Sequence, residues 1–163
     1  MIGDKMQAAI NNQIKAEFAS AYLYLAMAAY CESKNLPGFA HWLRRQYHEE
    51  NGHALKLCEY LLERGGQVVL QAIDAPPADF GSPVDVFAKV LAHEQFVTAS
   101  IDRLYETALA EKDYASQVFL QWYISEQVEE EASVSAVLEK LKMLPPDKAG
   151  PLLYIDKELG KRE

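Results

Sequence analysis

The sequence is poor in cysteine, in basic residues and in long apolar runs, and each shortage excludes a class of protein. Its two cysteines, Cys31 and Cys58, form no CxxC pair, no zinc-ligand spacing and no disulfide framework, so both are expected as reduced thiols packed in helix faces. Lys and Arg number 16 against 24 Asp and Glu, a net charge of −8. That balance disfavours a nucleic-acid binder, because phosphate contacts need clustered cations, and it leaves metal cations as natural partners. No apolar run approaches the roughly 18 residues that span a membrane, and residues 1–14 lack the apolar core of a signal peptide. A cytoplasmic protein with no membrane partner is expected. Glycine is absent from Ser82 to Ala149, and no long segment alternates with period two, which argues against a sheet.

What is present is helical sequence. Half of the residues are hydrophobic and a quarter are charged, and 163 residues fit one domain with a real core. The prolines stand at 37, 76, 77, 83, 145, 146 and 151, and the windows between them are rich in Ala, Leu, Glu, Lys and Gln. Four long helices are predicted, roughly Met6–Ser33, Gly38–Arg64, Ser82-Pro83 to Glu111, and Tyr114–Lys142. A short amphipathic tail helix follows at about Ala149–Leu159. Gly65-Gly66 is a strong helix stop, and Ser82 followed by Pro83 is an N-cap with proline at the first helical position.

The connection between the second and third helices is long for a bundle hairpin. It takes roughly 18 residues and reaches about 55–60 Å when extended, whereas a 28-residue helix is about 42 Å long. It can therefore return along the whole bundle, so that the second and third helices run parallel while the short turns join antiparallel pairs. The expected fold is all-α: one domain over 1–163, a four-helix bundle at about 6–142 with one long crossover, and a short fifth helix at about 149–159.

Each helix carries an apolar seam at 3/4 spacing. The seams read Ile10, Ile14, Glu17, Ala21, Tyr24, Ala28, Cys31; then Phe39, Leu43, Gln46, Glu50, His53, Leu57, Tyr60. The third reads Val84, Phe87, Leu91, Glu94, Thr98, Ile101, Tyr105, and the fourth Leu120, Tyr123, Gln127, Glu130, Val134, Val137, Leu141. An acid interrupts every seam near the middle of its helix. With turns centred at Asn35 and Lys112, Glu17 faces His53 and Glu94 faces Glu130, and the crossover sets the two hairpins at matching height.

Four carboxylates and an imidazole therefore converge in one apolar core, which costs several kcal/mol per charge if nothing compensates. Two divalent metal ions would balance the four negative charges. Oxygen donors with one imidazole suit iron or manganese, and also zinc.

Glu17, Glu50-Asn51-Gly52-His53, Glu94 and Gln127-Val128-Glu129-Glu130 resemble the ferroxidase motif of ferritins, and the resemblance covers nearly the whole chain. Ferritin-like di-iron bundles are an instance of carboxylates built into a bundle core. The resemblance implies a first iron site at Glu17, Glu50 and His53. It implies a second at Glu50, Glu94, Gln127 and Glu130, with Glu50 bridging, and Tyr24 beside the centre as a redox-active or hydrogen-bonding group. Gln127 in place of a second Glu-x-x-His looks like a bacterial non-haem ferritin. Bacterioferritins carry a haem-ligating methionine directly after the corresponding glutamate, where this chain has Asn51, so no haem is expected.

Glu126, Glu129 and Glu130 fall within about a 100° arc of the fourth helix, and Glu49 adjoins Glu50. In some bacterial non-haem ferritins such residues form a third iron site; the alternative is a solvated acidic face, which Glu131 favours. Gly52 sits inside a helix at a cost of roughly 1 kcal/mol relative to Ala. His41, His48 and His93 lie off the ligand positions and are expected in surface or packing roles.

The resemblance implies an iron store with ferroxidase activity. Fe(II) is oxidised by O2 or H2O2 and kept as ferric oxyhydroxide inside a homo-oligomeric shell of 24 subunits. Leu152-Leu153-Tyr154-Ile155 would line a four-fold axis and the segment around Gln117 to Gln121 a three-fold channel. A di-iron oxygenase or peroxidase without storage is the alternative for the same ligands. A helical interaction module with an acidic face is the reading without metal.

Overall fold

Helix ends organise this chain. In the computed structural model, which describes residues 1–145 and 149–162, five helices follow one another: α1 Asp4–Ser33, α2 Pro37–Glu63, α3 Pro83–Ala110, α4 Tyr114–Lys142 and α5 Ala149–Leu159. They match the expected elements to within two residues at each end, and no strand occurs among the described residues. Pro146, half of the expected stop after α4, lies outside the described residues.

The first three helices end in the same way. The backbone N–H groups of Leu36, Gly66 and Asp113 reach back to the carbonyls of Cys31, Leu61 and Ala108. The residue before each of them adopts a left-handed conformation: Asn35 at φ 60°, Gly65 at φ 72° and Lys112 at φ 55°. This closes the orphan carbonyls of the last turn. Asn35 and Lys112 thus mark the turn centres inferred from spacing alone. At the opposite ends, Ser82 and Asp85 form a reciprocal capping box on α3, and Asp113 accepts from Ser116 N on α4 at 3.1 Å.

The crossover runs back along α1. Gln67 N donates to Gln7 Oε1 at 2.8 Å, Val69 N donates to Asn11 Oδ1 at 2.8 Å, and Tyr30 OH donates to Gly81 O at 2.8 Å. From Gln7 to Tyr30 is about 35 Å of helix. The connection therefore covers most of the bundle, and α3 begins at the end where α2 begins. The helices α1 and α2 pack as one pair, α3 and α4 as another; α1 meets α3, and α5 docks on α2.

Two apolar clusters fill the interior. The upper one gathers Tyr24, Met27, Phe39, Phe87, Val134 and Leu138, and receives Ile155 and Leu159 of α5. The lower one gathers Met6, Ile10, Leu57, Ile101, Leu120 and Tyr123. The seams of α1 and α2 are buried as predicted. On α3 the phase differs: Val90, Val97 and Leu104 are buried, while Leu91, Thr98 and Tyr105 are only partly so. On α4, Leu138 is buried rather than Val137. Both flanks of the Phe87–Glu94–Ile101 column are largely apolar, so periodicity could not choose between them; packing in the bundle does. Among the described residues, no helix is long and apolar enough to cross a membrane.

Candidate metal centre

Between the two apolar clusters lies a polar belt with one or two residues from each long helix. Glu17 comes from α1, Glu50 and His53 from α2, Glu94 from α3, and Gln127 and Glu130 from α4; all six are buried. Glu17, Glu50 and Glu94 are 1% exposed or less, which takes their carboxylates fully out of water.

The belt contains two groups of potential ligands. Ligand atoms of Glu17, Glu50 and His53 lie within 4.8 Å of one another, and so do those of His53, Glu126 and Glu130. His53 Nδ1 stands 3.3 Å from Glu50 Oε2. The i, i+3 spacing of Glu50 and His53 places both on one face of α2. The His53 ring meets Trp122 edge-on at 5.3 Å, and Tyr123 OH donates to the His53 carbonyl at 2.7 Å, so aromatic side chains of α4 fix the imidazole.

Glu94 belongs to neither group of three. It accepts from Tyr24 OH through Oε1 and from Gln127 Nε2 through Oε2 at 3.2 Å. Gln127, expected among the ligands, stands against Glu94 and orients it. The four positions expected for a third site have different partners. Glu126 joins His53 and Glu130, Glu49 is held by Arg162 at 2.9 Å, and Glu129 is exposed and belongs to neither group.

Electrostatics show how poorly the carboxylates tolerate one another. Desolvation, then the Glu50 charge, raises the Glu17 carboxyl well above its ordinary range. Desolvation, then the Glu94 charge, does the same to Glu50. Burial pushes Glu94 up despite its bonds to Tyr24 and Gln127. Glu130 is pushed up to about 7, by burial first and then by Glu94, with Gln46 opposing. Tyr24 is raised by burial and by Glu94, so its phenol stays protonated and donates.

The donor set fits divalent cations. Both carboxylate oxygens of Glu50, and Oε2 of Glu17, are buried without a hydrogen-bond partner. A buried carboxylate that accepts no hydrogen bond, with only the His53 ring 3.3 Å from Oε2, is costly unless a cation takes its lone pairs. Hard oxygen donors with one imidazole are the ligands that iron, manganese and zinc accept.

Several supporting residues had escaped the sequence reading. Gln13 Nε2 donates to Glu17 Oε1 at 2.9 Å and is itself held by Ser100 at 2.6 Å. Gln46 Nε2 donates to Glu130 Oε2 at 2.8 Å. A polar residue one turn before Glu50 on a buried seam was the available signal for Gln46. Nothing local pointed to Arg162. Of the other histidines, His93 packs edge-on against Tyr24, bonds to Ser20 Oγ at 2.8 Å and is lowered to about 4 by burial.

Known proteins resemble this chain over most or all of its length. The ferritin-like domain family matches residues 7–144. The bacterial non-heme ferritin of Bacteroides fragilis is 43% identical over 164 residues, covering 99% of this chain and all of that one. That of Campylobacter jejuni is 42% identical over 144 residues, covering 88% and 86%. Among solved structures, the open-pore ferritin of the hyperthermophilic archaeon Archaeoglobus fulgidus superposes with a TM-score of 0.97 at 49% identity, over the full length of both chains.

Proposed function

From the premise that this chain belongs to the ferritin family, we propose that it stores iron by oxidising Fe(II) at the carboxylate belt and keeping the product as ferric oxyhydroxide. The observation that carries the reading is the unpaired, fully buried carboxylate of Glu50, flanked by Glu17 and His53.

In this reading Glu17, Glu50 and His53 bind one substrate Fe(II), and Glu50, Glu94, Gln127 and Glu130 bind a second. Each Fe(II) gives up one electron; O2 or H2O2 accepts the electrons and, with protons, leaves as H2O2 or water. Anionic oxygen donors favour the higher charge of Fe(III), which drives the oxidation. The protein supplies geometry and field: Tyr24 holds Glu94 through its hydroxyl, Gln46 holds Glu130, and Trp122 and Tyr123 hold His53. A further iron position uses Glu49, Glu126, Glu129 and Glu130.

We read the chain as one domain that assembles into a 24-subunit cytoplasmic shell. Tyr22 and Leu25 of α1 and Ile73 of the crossover form an exposed apolar stretch suited to contact with another copy. On α5, Leu153 and Tyr154 face outward and are available to line a symmetry axis, Leu152 is partly buried, and Ile155 turns into the core. Both cysteines are free thiols, consistent with that compartment.

The test is anaerobic Fe(II) loading followed by O2, with absorbance and particle mass followed together. Rapid oxidation with many irons retained per chain in a large particle is the expected result. Oxidation with only about two irons retained per chain would instead mark a di-iron oxygenase or peroxidase. Absence of Fe(II) binding would sink the metal-centre reading.

A further inference from the structure

A residue beyond the fifth helix reaches the edge of the centre. Arg162 lies beyond α5, yet its guanidinium straddles two side chains of α2: Nη1 donates to Gln46 Oε1, and Nη2 donates to Glu49 Oε2 at 2.9 Å. The guanidinium carbon stands 4.6 Å from the centroid of the Trp42 ring, and His41 Nε2 donates to the Arg162 carbonyl at 2.7 Å. Four residues of α2 thus grip one terminal arginine.

Two features bring it there. Asp156 of α5 accepts from Phe39 N at 3.0 Å and so caps the first turn of α2. Gly38 lets the backbones meet, because a Cβ there would lie 1.6 Å from Asp156 O.

The contact also reaches a ligand. With Gln46 Oε1 taken by Arg162, the amide must present its Nε2 to Glu130, where it donates at 2.8 Å. The arginine therefore decides which end of Gln46 meets Glu130. It also pairs with Glu49, a carboxylate near enough for its charge to act on both Glu50 and Glu130.

We infer that Arg162 is a positioning residue that serves as the protein's own cation at the Glu49 edge of the centre. A divalent cation arriving between Glu49, Glu126 and Glu130 competes with it, so that loading this edge loosens the tail and docking of the tail weakens the edge. The inference rests on reading the carboxylate belt as a metal centre. The position of Glu17, Glu50 and His53 lies beyond the arginine's reach; the second position meets it only through Gln46 and Glu130, whereas the outer position meets its charge directly.

The experiment is calorimetric titration of the metal-free assembled protein with Zn²⁺, a redox-silent probe, in wild type, R162Q, R162K and R162Q/E49Q. The first binding step per chain stays within about twofold in every variant, and the third tightens by about tenfold or more in R162Q, as expected from removing an adjacent unit charge. R162K, which keeps the charge, stays close to wild type, and R162Q/E49Q loses the gain. In wild type, hydrogen exchange over 156–162 rises as the third step fills. A third step in R162Q within about twofold of wild type, or tail exchange unmoved by Zn²⁺, overturns the inference while leaving the centre intact. Loss of the first two steps in the wild type would remove the metal-centre reading itself, and this inference with it.

Discussion

Tyr24 on α1 and Glu94 on α3 are 70 residues apart in sequence and share one buried hydrogen bond, the phenol donating to the carboxylate. The bond ties the two helix pairs together at the level of the metal centre. Removing the hydroxyl in Y24F leaves Glu94 with Gln127 as its remaining side-chain donor. Groups that orient ligands typically change affinity or activity by 10–100-fold, so initial Fe(II) oxidation in Y24F is expected to slow by about tenfold or more. Stopped-flow absorbance checks this; an initial rate equal to wild type would reduce Tyr24 to a packing residue.

Function and stability pull in opposite directions at Glu50. Its two unpaired, buried oxygens burden the metal-free fold and attract the metal. E50Q keeps the volume and removes the charge, so the metal-free protein is expected to melt higher, by a few degrees for about 1 kcal/mol in a domain of this size. The same change should slow Fe(II) oxidation by about 10²-fold. A lower melting point in E50Q would mean that the carboxylate has a partner in the metal-free protein after all.

A carboxyl at about 7 makes the metal-free protein sensitive to pH. Glu130 is raised by burial and by Glu94, while an unfolded glutamate titrates near 4.3. Between about 4.3 and about 7 the folded chain holds a proton that the unfolded chain has lost, so this group makes stability fall as pH rises through that window. Metal uptake should strengthen over the same range, because the ligand must be deprotonated. Thermal midpoints of metal-free wild type and E130Q across this range give the test; parallel curves would count against a raised Glu130.

Two helical glycines should respond in opposite ways. Nothing lies within 4 Å of a Cβ placed on Gly52, so G52A is expected to stabilise α2 by roughly 0.5–1 kcal/mol and leave the rate of oxidation unchanged. At Gly38 the same methyl meets the Asp156 carbonyl, so G38A should undock α5 and destabilise the fold. Chemical denaturation of both variants decides the matter, and a stable G38A with α5 in place would contradict the close approach.

Much of the centre was legible because its determinants are local. Proline spacing, helix propensity and the Ser82 and Gly65 caps set the helices within two residues of those observed. The crossover's length implied its course, and the intervals to Asn35 and Lys112 set the heights of the acids. Local periodicity could not fix the rotation of α3, since both flanks of its central column are largely apolar, and packing in the bundle buried Val90, Val97 and Leu104.

By itself, then, the sequence determined that four helices would carry four acids to one level, because helical rise and turn length are properties of the chain alone. Only the tertiary structure decided which oxygens accept no hydrogen bond, that Gln127 donates to Glu94 and that Arg162 holds Glu49. The 116 residues between Gln46 and Arg162 show why: such contacts depend on how helices rotate and cross once packed, and no interval along the chain encodes them.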